Sequence, residues 1–310
     1  MAVQTRIKQC IKRCSVGLYL TERYKKYRYE KRLKQMDDRA FIEWLYTKRN
    51  GVKPNLDAPQ SFTEKLQWLK LFYRDPRMTR CADKYELKNY LAEQGLGALA
   101  IPTLALYESV DEVTPAELPE RCILKATHGS GWHVRLDSDG KRSWRRMKCV
   151  MKVWLSESLY IFGREWNYRE QVPRLMAEPL LSDHPTDYKF FCFGGTVRAI
   201  QVNQTAEEPM TVDFYDTAWT RLEGVNTAGY PNAEKATEKP LCFDEMRRVA
   251  ERLSEPFPFV RVDMYCIDGR MYVGEMTFFP SGGFYTIKPS SWEERFGEWL
   301  YLPPKKDTEG

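Results

Sequence analysis

The stretch Phe259-Val-Arg261-Val-Asp263-Met-Tyr-Cys-Ile-Asp268-Gly269-Arg270-Met-Tyr-Val-Gly274-Glu275-Met-Thr277 decides how this sequence folds. β-Branched and aromatic residues flank an Asp-Gly pair, a strong short-range signal for a hairpin. Two registers are available. A strict two-residue turn at Asp268-Gly269 sets Asp263 opposite Gly274 and sends Asp263 and Glu275 to opposite faces. A three-residue loop, Asp268 to Arg270, with glycine in the left-handed position, sets Asp263 directly opposite Glu275. In that second register Arg261, Asp263, Glu275 and Thr277 share one face, and Val262, Met264, Cys266 and Met276 line the other. Burial of the apolar set favours the three-residue loop. Two carboxylates whose Cβ atoms stand about 5 Å apart repel each other unless a cation lies between them. Mg²⁺ held through carboxylates and substrate phosphates suits such a pair. An ion network through Arg261 would neutralise it as well.

Working outward, residues 188–193 and 196–202 form a hairpin around Gly194-Gly195, 211–215 is a further strand, and 243–253 has helical periodicity. Asp187 and Lys189 alternate on one strand face, where a ribose or phosphate could be held; taken alone they are half-exposed strand residues. Upstream, Cys122-Ile-Leu-Lys125-Ala-Thr-His128-Gly129-Ser130-Gly131 delivers a lysine from a strand into a glycine-containing loop. Glycines let backbone N–H groups approach an anion and the lysine adds a point charge, although the same residues make an ordinary turn. Neither a Walker nor a Rossmann spacing occurs. Ser61-Phe-Thr-Glu64 is a capping box opening a helix to about residue 73, and Lys84 begins another over 84–94. Strands mixed with helices in this order predict an α+β protein rather than a βαβ series.

Composition narrows the field. Of 310 residues, 43% are hydrophobic and 14% aromatic, which excludes a mainly disordered chain. Nothing approaches the ~20 apolar residues of a membrane span, and no secretory leader is evident. The expected setting is reducing and cytoplasmic. Eight cysteines without a C-x-x-C pair are expected to be buried thiols rather than a zinc site. The net charge of +5 is uneven: residues 1–35 carry +9 and the rest −4. Val3, Ile7, Cys10, Ile11, Cys14 and Leu18 fall on one helical arc with Arg6, Lys8, Lys12 and Arg13 outside it. This basic amphipathic helix could lie on an anionic membrane or pack on its own domain. Because the body is slightly acidic, nucleic acid is not an expected partner. Asp137-Ser138-Asp139-Gly140 contains a D-x-D pattern that would serve a metal-dependent glycosyltransferase, the alternative reading, and equally forms a β-turn.

Together, Asp83-Lys84 at a helix start, Ile123-Leu-Lys125 entering the loop, Glu178-Pro-Leu180 and the Asp263…Glu275 pair resemble the ATP-grasp superfamily. More narrowly, Ser61-Phe-Thr-Glu-Lys65-Leu-Gln-Trp68, Ala82-Asp-Lys84-Tyr, Leu124-Lys125-Ala-Thr-His128-Gly-Ser-Gly and Gly274-Glu275-Met-Thr-Phe-Phe-Pro-Ser-Gly-Gly283 are similar to its teichuronopeptide-biosynthesis (TupA-like) branch, across residues 60–300. The combination is more specific than any one motif.

The resemblance implies an α+β ATP-grasp fold, two α+β subdomains clasping a nucleotide cleft and preceded by N-terminal helices. The implied division is a basic helix over 1–35, a helical region over 36–100, a small subdomain with the glycine-rich flap over 101–175, and a large subdomain with the metal site over 176–310. It also implies roles. Lys84 and Lys125 contact ATP phosphates while His128, Gly129, Ser130 and Gly131 close over them. Glu178 and Leu180 meet the adenine, and Asp187 or Lys189 the ribose or a phosphate. Asp263, Glu275 and Thr277 hold Mg²⁺. Thr277 stands where many members have asparagine, and Phe279 where some have arginine. Arg261 and Lys288 are therefore the candidates for the group facing the reacting acyl oxygen, and Lys125, through its phosphate contact, completes the expected catalytic set. The implied activity is an ATP-dependent carboxylate–amine ligase acting through an acylphosphate on a saccharide carboxylate and an amine, in surface-polysaccharide synthesis.

Overall fold

The structure is a computed structural model. It describes residues 36–136, 144–205, 210–227 and 229–305, together with 27, 28 and 31. Apart from residues 27, 28 and 31, the basic amphipathic segment over 1–35 lies outside the described residues, as does the Asp137/Asp139 motif. In chain order the main elements are α1 (Asp38–Asn50), α2 (Phe62–Phe72), α3 (Pro76–Ala82), α4 (Lys84–Glu93), β1 (Ala105–Tyr107), β2 (Cys122–Ala126), β3 (His133–Leu136), α5 (Trp144–Ser156), α6 (Tyr160–Gly163), β4 (Leu175–Pro179), β5 (Asp187–Phe193), β6 (Thr196–Gln204), β7 (Thr211–Tyr215), β8 (Asn226–Thr227), α7 (Phe243–Ser254), β9 (Phe259–Ile267), β10 (Arg270–Thr277), β11 (Ile287–Lys288) and α8 (Ser290–Trp299). No described helix is long and apolar enough to cross a membrane. The chain divides into two compact units, 1–37 with 102–180, and 38–101 with 181–310.

The first unit is built on a four-stranded antiparallel sheet in the order β1-β4-β2-β3. This unit runs to Leu180 and so includes β4. Alternation along β2 buries Cys122, Leu124 and Ala126 and leaves Ile123 and Lys125 half-buried on the other face. Leu124 and Ala126 join Val134, Leu175 and Ala177 in a core closed by Met151 and Trp154 of α5. That helix places Met147, Val150, Met151 and Trp154 at helical spacing. Truncating Trp154 to alanine would cost about 3–5 kcal/mol.

The second unit carries a five-stranded antiparallel sheet in the order β10-β9-β5-β6-β7. One face, with Phe190, Cys192, Val262 and Met264, is apolar and is covered by α7, whose Phe243 ring lies 6.1 Å from that of Phe190. On the opposite face Phe191, Phe193 and Phe214 pack against Phe296 of α8, and Phe191, Phe193 and Phe259 pair with Phe62 of α2. The remainder of that face is polar. Ser61 and Glu64 complete the expected capping box of α2. The buried Glu293 of α8 accepts from the Thr63 backbone N–H and hydroxyl at 2.7 Å each and from the Ile287 N–H at 2.9 Å, which ties the helix to the start of α2. At Gly297 an added Cβ would lie 2.2 Å from the Gln60 carbonyl oxygen, so this close helix approach requires glycine.

The β9–β10 hairpin corrects one expectation. Its turn is the two-residue one: Arg270 pairs with Ile267, and Asp268 and Gly269 both have positive φ (51° and 75°). The extra residue sits further along, in a bulge between Val273 and Glu275, and this restores Glu275 to its place opposite Asp263. Gly274 occupies the bulge, where a Cβ would fall 2.8 Å from Tyr265 Cε2. The acids therefore share a face, as expected, by a different local device. The cysteine expectation is also corrected in part. Cys81, Cys122 and Cys192 are buried thiols, but Cys242 and Cys266 form a disulfide, their Cα atoms 6.7 Å apart where the start of α7 meets β9.

Candidate active site

Strand parity assembles a compact polar constellation on the open part of the second unit's sheet. Asp263 on β9 faces Glu275 on β10 and Lys189 on β5. Arg261 donates from Nε to Asp263 Oδ1 and from Nη2 to Oδ2, both at 2.6 Å, a two-point guanidinium–carboxylate pair. The same Nη2 lies 3.3 Å from Glu275 Oε1 and 3.3 Å from Thr277 Oγ1, and the Thr277 hydroxyl donates to Glu275 at 3.1 Å. Lys189 Nζ bridges Asp263 at 2.7 Å and Asp187 at 2.5 Å. Lys84 joins from the first residue of α4, its Nζ 3.7 Å from Glu275 Oε2. It is positioned by the buried Asp83, whose side chain caps the helix by accepting from the Tyr85 and Glu86 N–H groups.

Three acids thus meet three cations, and burial decides the electrostatics. Asp263 is 1% exposed, and its burial pushes the carboxyl up to about 6 against the pull of Arg261 and Lys189. For Glu275 burial acts in the same direction, but Lys84, Lys189 and Arg261 outweigh it and hold the carboxyl well below the usual range. Adjacent acids characteristically divide in this way: one stays ionised and the other is first to take a proton. Lys189 is kept charged by Asp263 and Asp187 despite its burial.

The first unit supplies a second cluster. Lys125 Nζ lies 2.5 Å from Glu178 Oε2 across the β2–β4 pair. The loop that follows β2 carries the residues expected to close over the phosphates. His128 is an anchor: it is buried, its Nε2 is 2.9 Å from the Trp154 carbonyl oxygen, and its ring meets that of Trp132 edge-on. Gly129 lies under Trp132, so a Cβ there would come within 2.0 Å of Cε3. The exposed tip of the loop is Ser130-Gly131, with Gly131 at φ 69°. Beyond β4 the Leu180 N–H donates to the Arg121 carbonyl at 3.3 Å. Lys288 is not brought to the acids. It is exposed on β11, which pairs with β8 in a separate two-stranded sheet. Of the two oxyanion candidates, only Arg261 joins the constellation.

Two residues of this face escaped the sequence reading. Gln201 and Asn203 on β6 pair with Lys189 and Asp187 respectively and are buried, and Gln201 Nε2 donates to Asn203 Oδ1 at 2.7 Å. Their signal was present: two polar side chains alternate with Ile200 and Val202 in β6, which points them to the face that also carries Asp187 and Lys189.

Among the described residues no cluster of three or more Asp, Glu, His or Cys side chains is suited to holding a metal by itself. The donors on offer are two carboxylates and one hydroxyl, all oxygen. That set fits Mg²⁺, which commonly takes one or two carboxylates and completes its shell with phosphate and water. Both carboxylates already require positive charge, which Arg261, Lys189 and Lys84 provide in this structure.

A family model described as TupA-like ATPgrasp matches residues 64–301. No curated protein matches the chain. Among solved structures, the chain is similar to the ATP-grasp ligase PsnB complexed with minimal precursor (15% identity, TM-score 0.40, 66% of this chain and 54% of that one). It is also similar to D-alanine–D-alanine ligase from Bacillus anthracis (18%, 0.39, 64% and 57%) and L-amino acid ligase from Bacillus licheniformis (16%, 0.37, 64% and 43%). The chain therefore spans less than two thirds of the length of each of these three proteins.

Proposed function

The chain belongs to the TupA-like ATP-grasp family, and from that premise we propose that it is an ATP-dependent carboxylate–amine ligase acting on a uronic acid of a surface polysaccharide. The observation that carries the reading is the Asp263–Glu275 pair, set face to face on β9 and β10 and surrounded by Arg261, Lys189 and Lys84. When bound there, Mg²⁺ would neutralise charge on the transferred phosphoryl group. Asp263, Glu275 and the Thr277 hydroxyl are the groups that would hold it.

In this reading a substrate carboxylate oxygen attacks the γ-phosphorus of ATP, ADP leaves, and the acylphosphate forms. An amine then attacks the acyl carbon, inorganic phosphate departs with the bonding pair, and the nitrogen loses a proton to give the amide. In the second unit Lys84 and Lys189 serve as point charges for phosphate, since each is an ammonium already held next to a carboxylate. Arg261 is the donor for the acyl oxyanion; its guanidinium is fixed by two hydrogen bonds and needs no reorganisation as charge develops. Glu178 and the backbone to Leu180 meet the adenine, and Ser130-Gly131 form the part of the flap that closes on the phosphates and excludes water. Gln201 and Asn203 add amide donors and acceptors beside Asp187, suited to hydroxyl groups of a ribose or sugar.

The test is ADP release from Mg-ATP in the presence of a uronic acid and an amine. It should require both co-substrates and fall at least about a hundredfold in Glu275→Gln, given how much one positioned electrostatic partner contributes to a transition state. Unchanged turnover in a normally folded Glu275→Gln would overturn the assignment.

A further inference from the structure

The turn that leaves β10 is held in an unusual way. Immediately after Thr277 and two buried phenylalanines, Ser281, Gly282 and Gly283 take left-handed conformations in succession (φ 53°, 65° and 66°). A non-glycine residue at positive φ is strained unless its surroundings impose it. Here two buried side chains of α2 do so. Gln67, fully buried, donates from Nε2 to the Gly283 carbonyl at 2.5 Å. Lys70, 1% exposed, donates to the Gly282 carbonyl and sets its ammonium 4.2 Å from the centre of the Phe284 ring. Enclosing an ammonium to fix a surface turn is costly, which suggests that the geometry of this turn matters.

The outer side of the turn carries a second cation. The Arg49 guanidinium, at the end of α1, lies between two consecutive rings, 5.4 Å from the centre of Phe284 and 5.2 Å from that of Tyr285. Phe284 is buried with both Lys70 and Arg49 near its ring, whereas Tyr285 is 50% exposed. Among the described residues Arg49 makes no ion pair and no hydrogen bond. Arg39 on the same helix, by contrast, is paired with Glu43 and Asp57. An arginine that merely capped the helix would donate to its last carbonyls, and this one does not. It lies against the two rings while its five N–H donors are unspent.

We propose that Arg49 and Tyr285 form a recognition point for a carboxylate-bearing sugar of the acceptor, one neighbouring the sugar that reacts. A planar guanidinium receives a carboxylate in two-point fashion. The exposed face of Tyr285 offers the flat apolar surface on which the C–H face of a pyranose stacks, with Ser281 exposed on the same turn. This inference rests on the ligase reading for its substrate class and adds where the acidic chain is held.

The test is titration calorimetry of the full chain with a short glucuronic-acid oligosaccharide, with a maltooligosaccharide of equal length as the uncharged control, and with Mg-ATP as a separate arm. The glucuronic-acid probe should bind and the uncharged one bind at least tenfold more weakly, a difference of about 1.4 kcal/mol. Arg49→Ala and Tyr285→Ala should each weaken the acidic probe at least about tenfold, the scale of one charge-assisted contact. Arg49→Lys should rescue only in part and Tyr285→Phe almost fully, with the melting temperature and Mg-ATP affinity unchanged in all four. Absent binding, equal binding of charged and uncharged probes, or wild-type affinity in Arg49→Ala and Tyr285→Ala would each overturn the proposal. The nucleotide arm separates this from the parent reading: a wild-type chain that does not bind Mg-ATP refutes the ligase, whereas intact Mg-ATP binding with a failed saccharide arm refutes only the Arg49–Tyr285 site.

Discussion

Replacing Lys189 with methionine keeps the shape of the side chain and removes its charge, and the consequence can be worked from the geometry. The ammonium lies 2.5 Å from Asp187 and 2.7 Å from Asp263, and the latter is 1% exposed. At an effective dielectric of about 20 each contact is worth about 6 kcal/mol. Returning the ammonium to water in the unfolded chain recovers several kcal/mol of desolvation, so the expected net loss is about 3–5 kcal/mol, the usual cost of removing one partner of a buried pair. That is a large share of the ~5–15 kcal/mol that stabilises a typical protein. The sign of its pH dependence is fixed by the acids left behind. Lys189, its pKa raised by Asp263 and Asp187, is charged in the wild type throughout the working range. In Lys189→Met the abandoned, buried Asp263 carboxylate is relieved by protonation, so the deficit should be smaller at pH 5 than at pH 8. Adding Asp263→Asn should recover part of the loss for the same reason. Urea denaturation of the wild type and both variants at the two pH values reads all of this. A loss below about 1 kcal/mol at pH 8, or a deficit that grows on acidification, would refute the reasoning.

Two further outcomes follow from the site. In Gly274→Ala the new Cβ meets Tyr265 Cε2 at 2.8 Å, so denaturation should show a loss of about 1–3 kcal/mol with weakened Mg-ATP binding; wild-type behaviour in both would remove the bulge from the account. Because burial raises the Asp263 carboxyl to about 6, Mg-ATP affinity measured by calorimetry should fall as pH drops through that value, and Asp263→Asn should abolish the dependence. The stability sign is opposite to the binding sign. A raised carboxyl contributes most below the ordinary carboxylate range and loses that contribution as pH rises, so acidification should weaken nucleotide binding without destabilising the fold through this group.

The sequence made the pairing of Asp263 with Glu275 legible because parity and the apolar character of Val262, Met264 and Met276 left only one buried face. It could not locate the extra residue. A turn glycine at 269 and a bulge glycine at 274 give the same parity downstream, and only the close approach of Tyr265 selects the second. The capping box at Ser61 and the start of α4 at Lys84 were readable as local hydrogen-bonding patterns. Helix α5 was missed although Met147, Val150, Met151 and Trp154 carry its periodicity. His128 read as part of a loop, since its partner, the Trp154 carbonyl, lies 26 residues away and leaves no local trace. The same holds for Lys70, which looks like an exposed helical lysine until the turn at Gly282 folds onto it, and for the disulfide between Cys242 and Cys266.

The most direct measurement of the central claim is electron paramagnetic resonance of Mn²⁺, standing in for Mg²⁺, titrated into the chain with ATP. One bound Mn²⁺ per chain is the predicted result, with affinity reduced at least about tenfold in Asp263→Asn and in Glu275→Gln, both correctly folded. Retention of wild-type Mn²⁺ affinity by both variants would contradict the account.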